Sequence, residues 1–424
     1  MRKENLMTNK LINCVGLILI LGFAAIATVE NSFAQGKKKK GKNNSEVDVE
    51  AARKKYEFEL LKSWSFGYEN YKNKQYDSSK KHFWNVAKLD TINKFGAKTY
   101  RYLGNSYLKG GDPDSAQVIF ELGTEKYPEY TYLHRMVGYL LSNRGLTEEA
   151  VARYQKVVEQ APESVDDWNQ LASLYVKLEQ DEDAIAAYDK ILAIDPNNMD
   201  AQQKKTSLIE RSGDIDALIA EKEKIRERDP QDSQVRFDLG KLYFEQVEEF
   251  EKSIERFHEF LTLVPNDIAA IEYVGNAYSR LDKSNDAITQ FKSILQIQPD
   301  NKKVMAEISR CYKDLGRFVS ARSYARKVLA IDKSYGLGWI ALGEAYEASA
   351  ERCINQKDSK VDFNDKLVYE LAFGQYKKAL ADLEFRQDAE RHLSFLQGVL
   401  PTQEDKFMHK NQKKARGECY KWIY

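Results

Sequence analysis

The chain is poor in proline and cysteine, 8 and 4 in 424 residues, and it has no excess of either charge, with 65 Lys+Arg against 65 Asp+Glu. Each shortage removes a class. So few prolines, with 22 glycines, exclude a collagen-like or low-complexity fibre. Four cysteines are too few for a disulfide-built scaffold, and balanced charge predicts no nucleic-acid partner. What is present is 31% charged residues, 25 Tyr and 19 Phe, the makings of a helix-rich chain with enough apolar matter to pack. The length exceeds what one ordinary core serves, so several domains or a repeat architecture is expected.

Catalytic constellations are missing too. No zinc-protease helix motif, paired CxxC element or nucleophile elbow occurs, and His82, His134, His258, His392 and His409 are scattered, each reading as a surface or half-buried residue. The run from Gly36 to Lys42 mimics a phosphate-binding loop, but Asn43 stands where Ser or Thr is needed and no strand precedes it. Gly336, Gly338 and Gly343 miss the dinucleotide spacing. The expectation is no enzyme, no cofactor and no metal.

Arg2, Lys3 and Lys10 precede an apolar run from Val15 to Ala27, and Ser32 and Ala34 are small. A bilayer-crossing helix needs about 20 apolar residues, so this shorter run reads as a signal peptide, 1–34, cleaved after Ala34. No integral span is then expected to remain. Lys37 to Lys40 and Lys42 oppose export and leave an uncleaved anchor as the alternative. Cys14 lies at the front of the run, which argues against a lipid-modified cysteine. Cys311, Cys353 and Cys419 survive processing; Cys311 reads as a small buried side chain, and Cys353 with Cys419 forms a candidate pair if the chain is exported.

The prolines that do occur are periodic. Pro128, Pro162, Pro196, Pro230, Pro265 and Pro299 follow at intervals of 34, 34, 34, 35 and 34 residues, and proline ends helices, so the unit is one helical hairpin. Within it the same residue types recur: Trp168, Leu171, Ala172, Tyr175, Ala184, Tyr188, Ile191 and Pro196, or Val274, Gly275, Tyr278, Ala287, Phe291, Ile294 and Pro299. Small residues such as Gly104, Gly138, Ala172, Gly240 and Gly275 let paired helices approach closely, and large residues nearby fill the gap. The pattern resembles the tetratricopeptide-repeat family over about residues 60–380. The resemblance implies an all-α, right-handed α-solenoid of about nine hairpins with a C-terminal capping helix.

Four places depart from the pattern. The first unit, near Ser63 to Asp90, keeps only Phe66, Gly67, Tyr76 and Phe83; the fifth, Met199 to Pro230, puts Lys205 and Lys222 at core positions. The sixth has an extra residue near Val247 to Phe250, expected in its turn, and the eighth has Lys333 in place of proline. In the ninth, Trp339 opens the unit normally but Ala372, Tyr376 and Ala379 arrive about seventeen residues late. The charged insertion, 351–365, reads as a solvated loop, an extended hairpin or a partner-contacting segment. The expected organisation is signal peptide 1–34, basic linker and helix start 35–59, solenoid 60–383, capping helix 384–400 and tail 401–424. Phe385, Leu393, Phe395 and Leu396 mark the cap, Pro401 stops it, and the aromatic end Cys419 to Tyr424 either folds back or serves as a recognition tag.

The resemblance also implies a concave wall lined by the first helix of each unit, where such proteins hold peptides. Carried onto this chain, the wall presents Lys98, Arg101, Asn105, Lys109 and Arg135, with Tyr132 and Tyr139 beside them. It resembles the carboxylate-binding subset of the family, but Asp166 and Gln170 replace basic residues, which counts against a free C-terminal carboxylate and leaves two readings, a site for an acidic peptide or an ordinary solvated groove. Phe237, Phe244, Tyr273 and Ile340 are expected to make the later wall apolar. The reading is a non-enzymatic scaffold of the bacterial cell envelope or periplasm that binds proteins or peptides; the alternative is a peptidoglycan- or polysaccharide-associated envelope protein.

Overall fold

The computed structural model describes residues 42–357, 360–410 and 412–424, with side chains from residue 49; the leader at 1–34 lies outside them. The described residues are helical, with no strand among them, and they fall into two compact units that divide between Ser212 and Gly213. In the first unit the helices are α1 (Lys42–Lys72), α2 (Tyr76–Leu89), α3 (Ala97–Lys109), α4 (Pro113–Lys126), α5 (Thr131–Asn143), α6 (Thr147–Gln160), α7 (Val165–Lys177), α8 (Asp181–Ile194) and α9 (Met199–Ser212). The second holds α10 (Ile215–Arg228), α11 (Ser233–Glu245), α12 (Phe250–Leu263), α13 (Ile268–Arg280), α14 (Ser284–Ile297), α15 (Lys302–Asp314), α16 (Phe318–Ile331), α17 (Gly336–Asn355), α18 (Phe363–Ala379), α19 (Arg386–Leu396) and α20 (Gln403–Met408). Within each unit every helix packs on the next along α1–α9 and α10–α19, the all-α solenoid arrangement.

The small–large pairing seen in the sequence is a contact that joins the two helices of several hairpins. A Cβ built on Gly240 would lie 2.8 Å from the Phe257 ring, and one on Gly138 2.9 Å from that of Tyr154. Phe120, Tyr154, Tyr188, Phe257, Phe291 and Tyr376 are all buried in this way. Burial of such a side chain contributes roughly 1.5–3 kcal/mol, so these rings and their glycine or alanine partners supply much of the cohesion of the hairpins that carry them.

The turns carry a second ladder. Lys74, Gly111, Gly145, Glu179, Gly213, Glu248, Asp282 and Gly316 all have positive φ, and α2, α4, α6, α8, α10, α12, α14 and α16 each begin two residues later. In the seven of these turns that lie inside one unit, one left-handed residue therefore reverses the chain. The extra residue of the sixth hairpin lies in this turn, where Glu249 N donates to Tyr243 O at 2.8 Å and register is restored from Phe250. A third recurrence sits on the first helices. The indole Nε1 of Trp168 donates to Pro162 O at 2.8 Å, that of Trp339 to Lys333 O at 2.8 Å, and His134 Nε2 lies 2.9 Å from Pro128 O. The eighth unit thus keeps this contact although Lys333 has replaced proline.

His134 shares the register of those tryptophans and is buried rather than on the surface. The unit boundary falls within the fifth hairpin, whose lysines have carboxylate partners inside their own units: Lys205 lies 2.7 Å from Asp189, and Lys222 2.9 Å from Asp238. In the first hairpin Phe66 is 47% exposed, while Leu60 and Phe83 are fully buried. The insertion is mostly helix: α17 runs on to Asn355 and α18 starts at Phe363 behind a capping box of Asp362 and Asp365. At the cap, Leu396 and Ala389 are buried and Phe395 is 68% exposed. The C-terminal end folds back, with Tyr420 and Ile423 buried. Cys311 is buried and free; Cys353 and Cys419 form a disulfide with Cα atoms 6.0 Å apart.

Candidate functional site

The residues expected on the inner wall of the first unit lie on α3 and α5, the first helices of adjacent hairpins, which are in contact with each other. Two direct links span them. Asn105 Nδ2 lies 2.8 Å from the Tyr132 hydroxyl, and Arg101 Nη1 donates to the Tyr130 hydroxyl at 3.4 Å. The Arg101 guanidinium also sits 4.4 Å from the centroid of the Tyr132 ring, a cation–π placement, while its Nε is buried without a hydrogen-bond partner. The hydrogen bond to Tyr130 raises the Arg101 pKa further, so the charge is fixed at any physiological pH. Lys109 is exposed and lies 4.9 Å from the Tyr71 ring, whose hydroxyl raises its pKa.

Lys98 and Tyr139 are exposed, and Asn105 is buried beneath its tyrosine. Arg135 is engaged differently. Its Nε and Nη2 each lie 2.6 Å from the two oxygens of Asp167, a bidentate pair joining α5 to α7. Asp167 is 2% exposed, so the pair spends Arg135's fork on the scaffold. The wall's available cations are Arg101, Lys98 and Lys109, set among Tyr130, Tyr132 and Tyr139. Such a surface can take a carboxylate or an acidic segment by charge-assisted hydrogen bonds and stack a planar group beside it.

In the second unit the expected apolar patch forms in part. Phe244 and Tyr273 have ring centroids 5.4 Å apart and Phe237 and Tyr273 6.1 Å apart, while Tyr273's hydroxyl donates to Glu245 at 2.5 Å. Ile340 does not join them. It is fully buried, because Gly338 lets α17 close on Val328 and Leu329 of α16.

Sequence reading missed Asp167 as the partner of Arg135, and it missed a polar cluster under α19. There Arg310 Nε bonds Glu344 at 3.0 Å, His392 Nδ1 lies 3.1 Å from Glu347, and Tyr376 donates to the same Glu347 carboxylate. A signal was available. Arg135 and Asp167, Arg310 and Glu344, and Lys303 and Glu272 are opposite charges roughly one repeat apart. Among the described residues no group of His, Cys, Asp and Glu could hold a metal ion, and no helix is long and apolar enough to cross a membrane.

A tetratricopeptide-repeat family model matches residues 144–208, which span α6 to α9. No curated protein matches. Among solved structures, the chain is similar to a tetratricopeptide repeat protein from Parabacteroides merdae, at 14% identity over 71% of this chain and 99% of that one, TM-score 0.30. It is also similar to the Naa15/Naa10 complex bound to HypK-THB, at 12% identity over 80% of this chain and 64% of that one, TM-score 0.41. A third is the MamA protein, at 18% identity over 49% and 93%, TM-score 0.23. The match is thus to a tetratricopeptide-repeat model over 144–208, and α3 to α6 and α11 to α16 have helices of the same 13 to 14 residues as that segment.

Proposed function

We propose that the chain is a non-enzymatic scaffold of the bacterial cell envelope that binds partner proteins or peptides on the first-helix wall of its first unit. Stacked helical hairpins offer extended binding surfaces, and here the surface has a definite chemistry. The observation that carries the reading is Arg101, stacked on Tyr132 with a buried, unpartnered Nε, beside exposed Lys98 and Lys109. That combination suits an acidic peptide segment. The export part rests on the leader pattern and gains support from the Cys353–Cys419 disulfide, a bond that persists in oxidising compartments.

The test is capture from envelope extracts by the immobilised chain and by an Arg101→Glu, Lys109→Glu variant. Proteins recovered by the first and lost by the second support the reading. Equal recovery by both removes the wall as the binding surface, and retention of the chain on cell-wall material instead of proteins favours polysaccharide association.

A further inference from the structure

The last thirteen residues, 412–424, contain no α-helix, only the 3-10 turn Glu418–Ile423, yet they are fastened at three separate points. Cys419 is bonded to Cys353 near the end of α17. Trp422 lies between two rings, 5.6 Å from Phe318 and 5.5 Å from Tyr346, with the Arg322 guanidinium 5.3 Å from its centroid. Arg322 also donates from Nη1 to the carbonyl of Ile423 at 2.6 Å, gripping backbone rather than side chain. At the other end, Tyr420 donates to Asp365, and the Asn364 carboxamide oxygen accepts from Gln412 Nε2 at 2.6 Å and from Arg416 N at 2.8 Å.

Two features separate this arrangement from an ordinary packed terminus. The segment buries only Ala415, Tyr420 and Ile423; Lys413, Lys414, Arg416, Glu418 and Lys421 are exposed, and a short 3-10 turn is a weak hydrogen-bonded structure. The surface beneath stays satisfied without it. Asp365 keeps Lys357 at 2.8 Å from each oxygen and the backbone N–H of Asp362 at 2.7 Å, whereas the docked Trp422 Nε1 is buried with no partner. Docking therefore strands one donor, and departure strands no carboxylate.

We propose that residues 412–424 form a redox-gated strap: with the Cys353–Cys419 bond closed it covers the ledge of Phe318, Arg322 and Tyr346, and reduction by a dithiol releases it. Cys353 is buried and Cys419 is partly exposed, so the incoming thiolate attacks the Cys419 sulfur. The S–S bond breaks and Cys353 leaves as a thiolate that takes a proton from water. The second thiol of the reductant then attacks the mixed disulfide and frees Cys419. Two electrons and two protons pass to the protein, and the reductant ends as its own disulfide. This inference is independent of the wall on α3 and α5.

The experiment is hydrogen exchange followed by mass spectrometry on the intact chain, with and without dithiothreitol under native conditions. Reduction is expected to speed exchange of the amides of 418–424 at least tenfold and leave α3 to α8 unchanged. A Cys353→Ser, Cys419→Ser chain should exchange at the fast rate whether or not dithiothreitol is present. The proposal is overturned if protection persists with both thiols free, if the double variant folds and stays protected, or if native-state dithiothreitol leaves the bond intact. Should the double variant lose its helical circular dichroism, exchange in the reduced wild-type chain alone decides between release and retention.

Discussion

Arg135 and Asp167 stand nearly one repeat apart and meet through two parallel 2.6 Å hydrogen bonds, the arginine partly open to solvent and the carboxylate almost wholly covered. The pair belongs to the framework first. Arg135→Ala leaves Asp167 charged and buried and is expected to cost about 2–3 kcal/mol, while Arg135→Ala with Asp167→Ala together costs less than the single change. Urea unfolding of the three variants and the wild type measures this, and additive losses would dissolve the coupling. Arg101→Glu should lower partner capture and, by removing the contacts with Tyr130 and Tyr132, lower the unfolding midpoint by less than Arg135→Ala does.

The glycine–aromatic contact predicts a steric penalty. Gly240→Ala places a methyl group 2.8 Å from the fully buried Phe257 ring and should destabilise the second unit by about 1–3 kcal/mol. Ala172 occupies the same register in the fourth hairpin, where it and Tyr188 are both buried. Thermal unfolding of Gly240→Ala at an unchanged midpoint would show that α11 and α12 separate freely.

The turn ladder predicts opposite effects at two equivalent positions. Gly145→Ala forces a Cβ into the left-handed region, at φ 77°, and should cost about 1 kcal/mol. Glu179→Gly relieves that conformation at φ 59° and should be neutral or stabilising by a few tenths of a kcal/mol, through release of strain against gain of chain entropy. Chemical denaturation of both variants reads the contrast.

His134 predicts a pH dependence confined to acid. Burial holds its pKa below the ordinary histidine value, because a second ring proton at Nδ1 would be buried without an acceptor. The unfolded chain binds that proton more readily, so stability is complete above about pH 6.5 and falls as the pH drops below it. His134→Trp installs the residue found at Trp168 and Trp339, and it should remove this part of the acid loss. Urea midpoints at pH 7.5 and 5 for both chains test it; an unchanged difference would place the sensitivity elsewhere.

Much of the fold was legible because its determinants are steric and periodic. Six prolines gave the unit length, and Gly240 with Phe257 or Gly275 with Phe291 gave the face on which each hairpin closes. The turn ladder was not legible, since three of its eight left-handed positions are Lys74, Glu179 and Glu248, residues whose types do not announce positive φ. Ile340 was misplaced because its exposure depends on how closely α16 approaches, set by Gly338 and not by its own position. The wall's tyrosines and lysines could be named, yet Arg135's engagement could not, since Asp167 and Asp166 are neighbours of one type and only the helix's rotation separates them.

The sixth hairpin shows what its left-handed turn permits. One residue has been added just ahead of Glu248 and every buried position from Phe250 onward keeps its place, so the bend absorbs a change in chain length without passing it to the next pair of helices. Each such corner is consequently a place where evolution, or an engineer splicing in a short tag, can lengthen the protein while the rest of the stack remains indifferent.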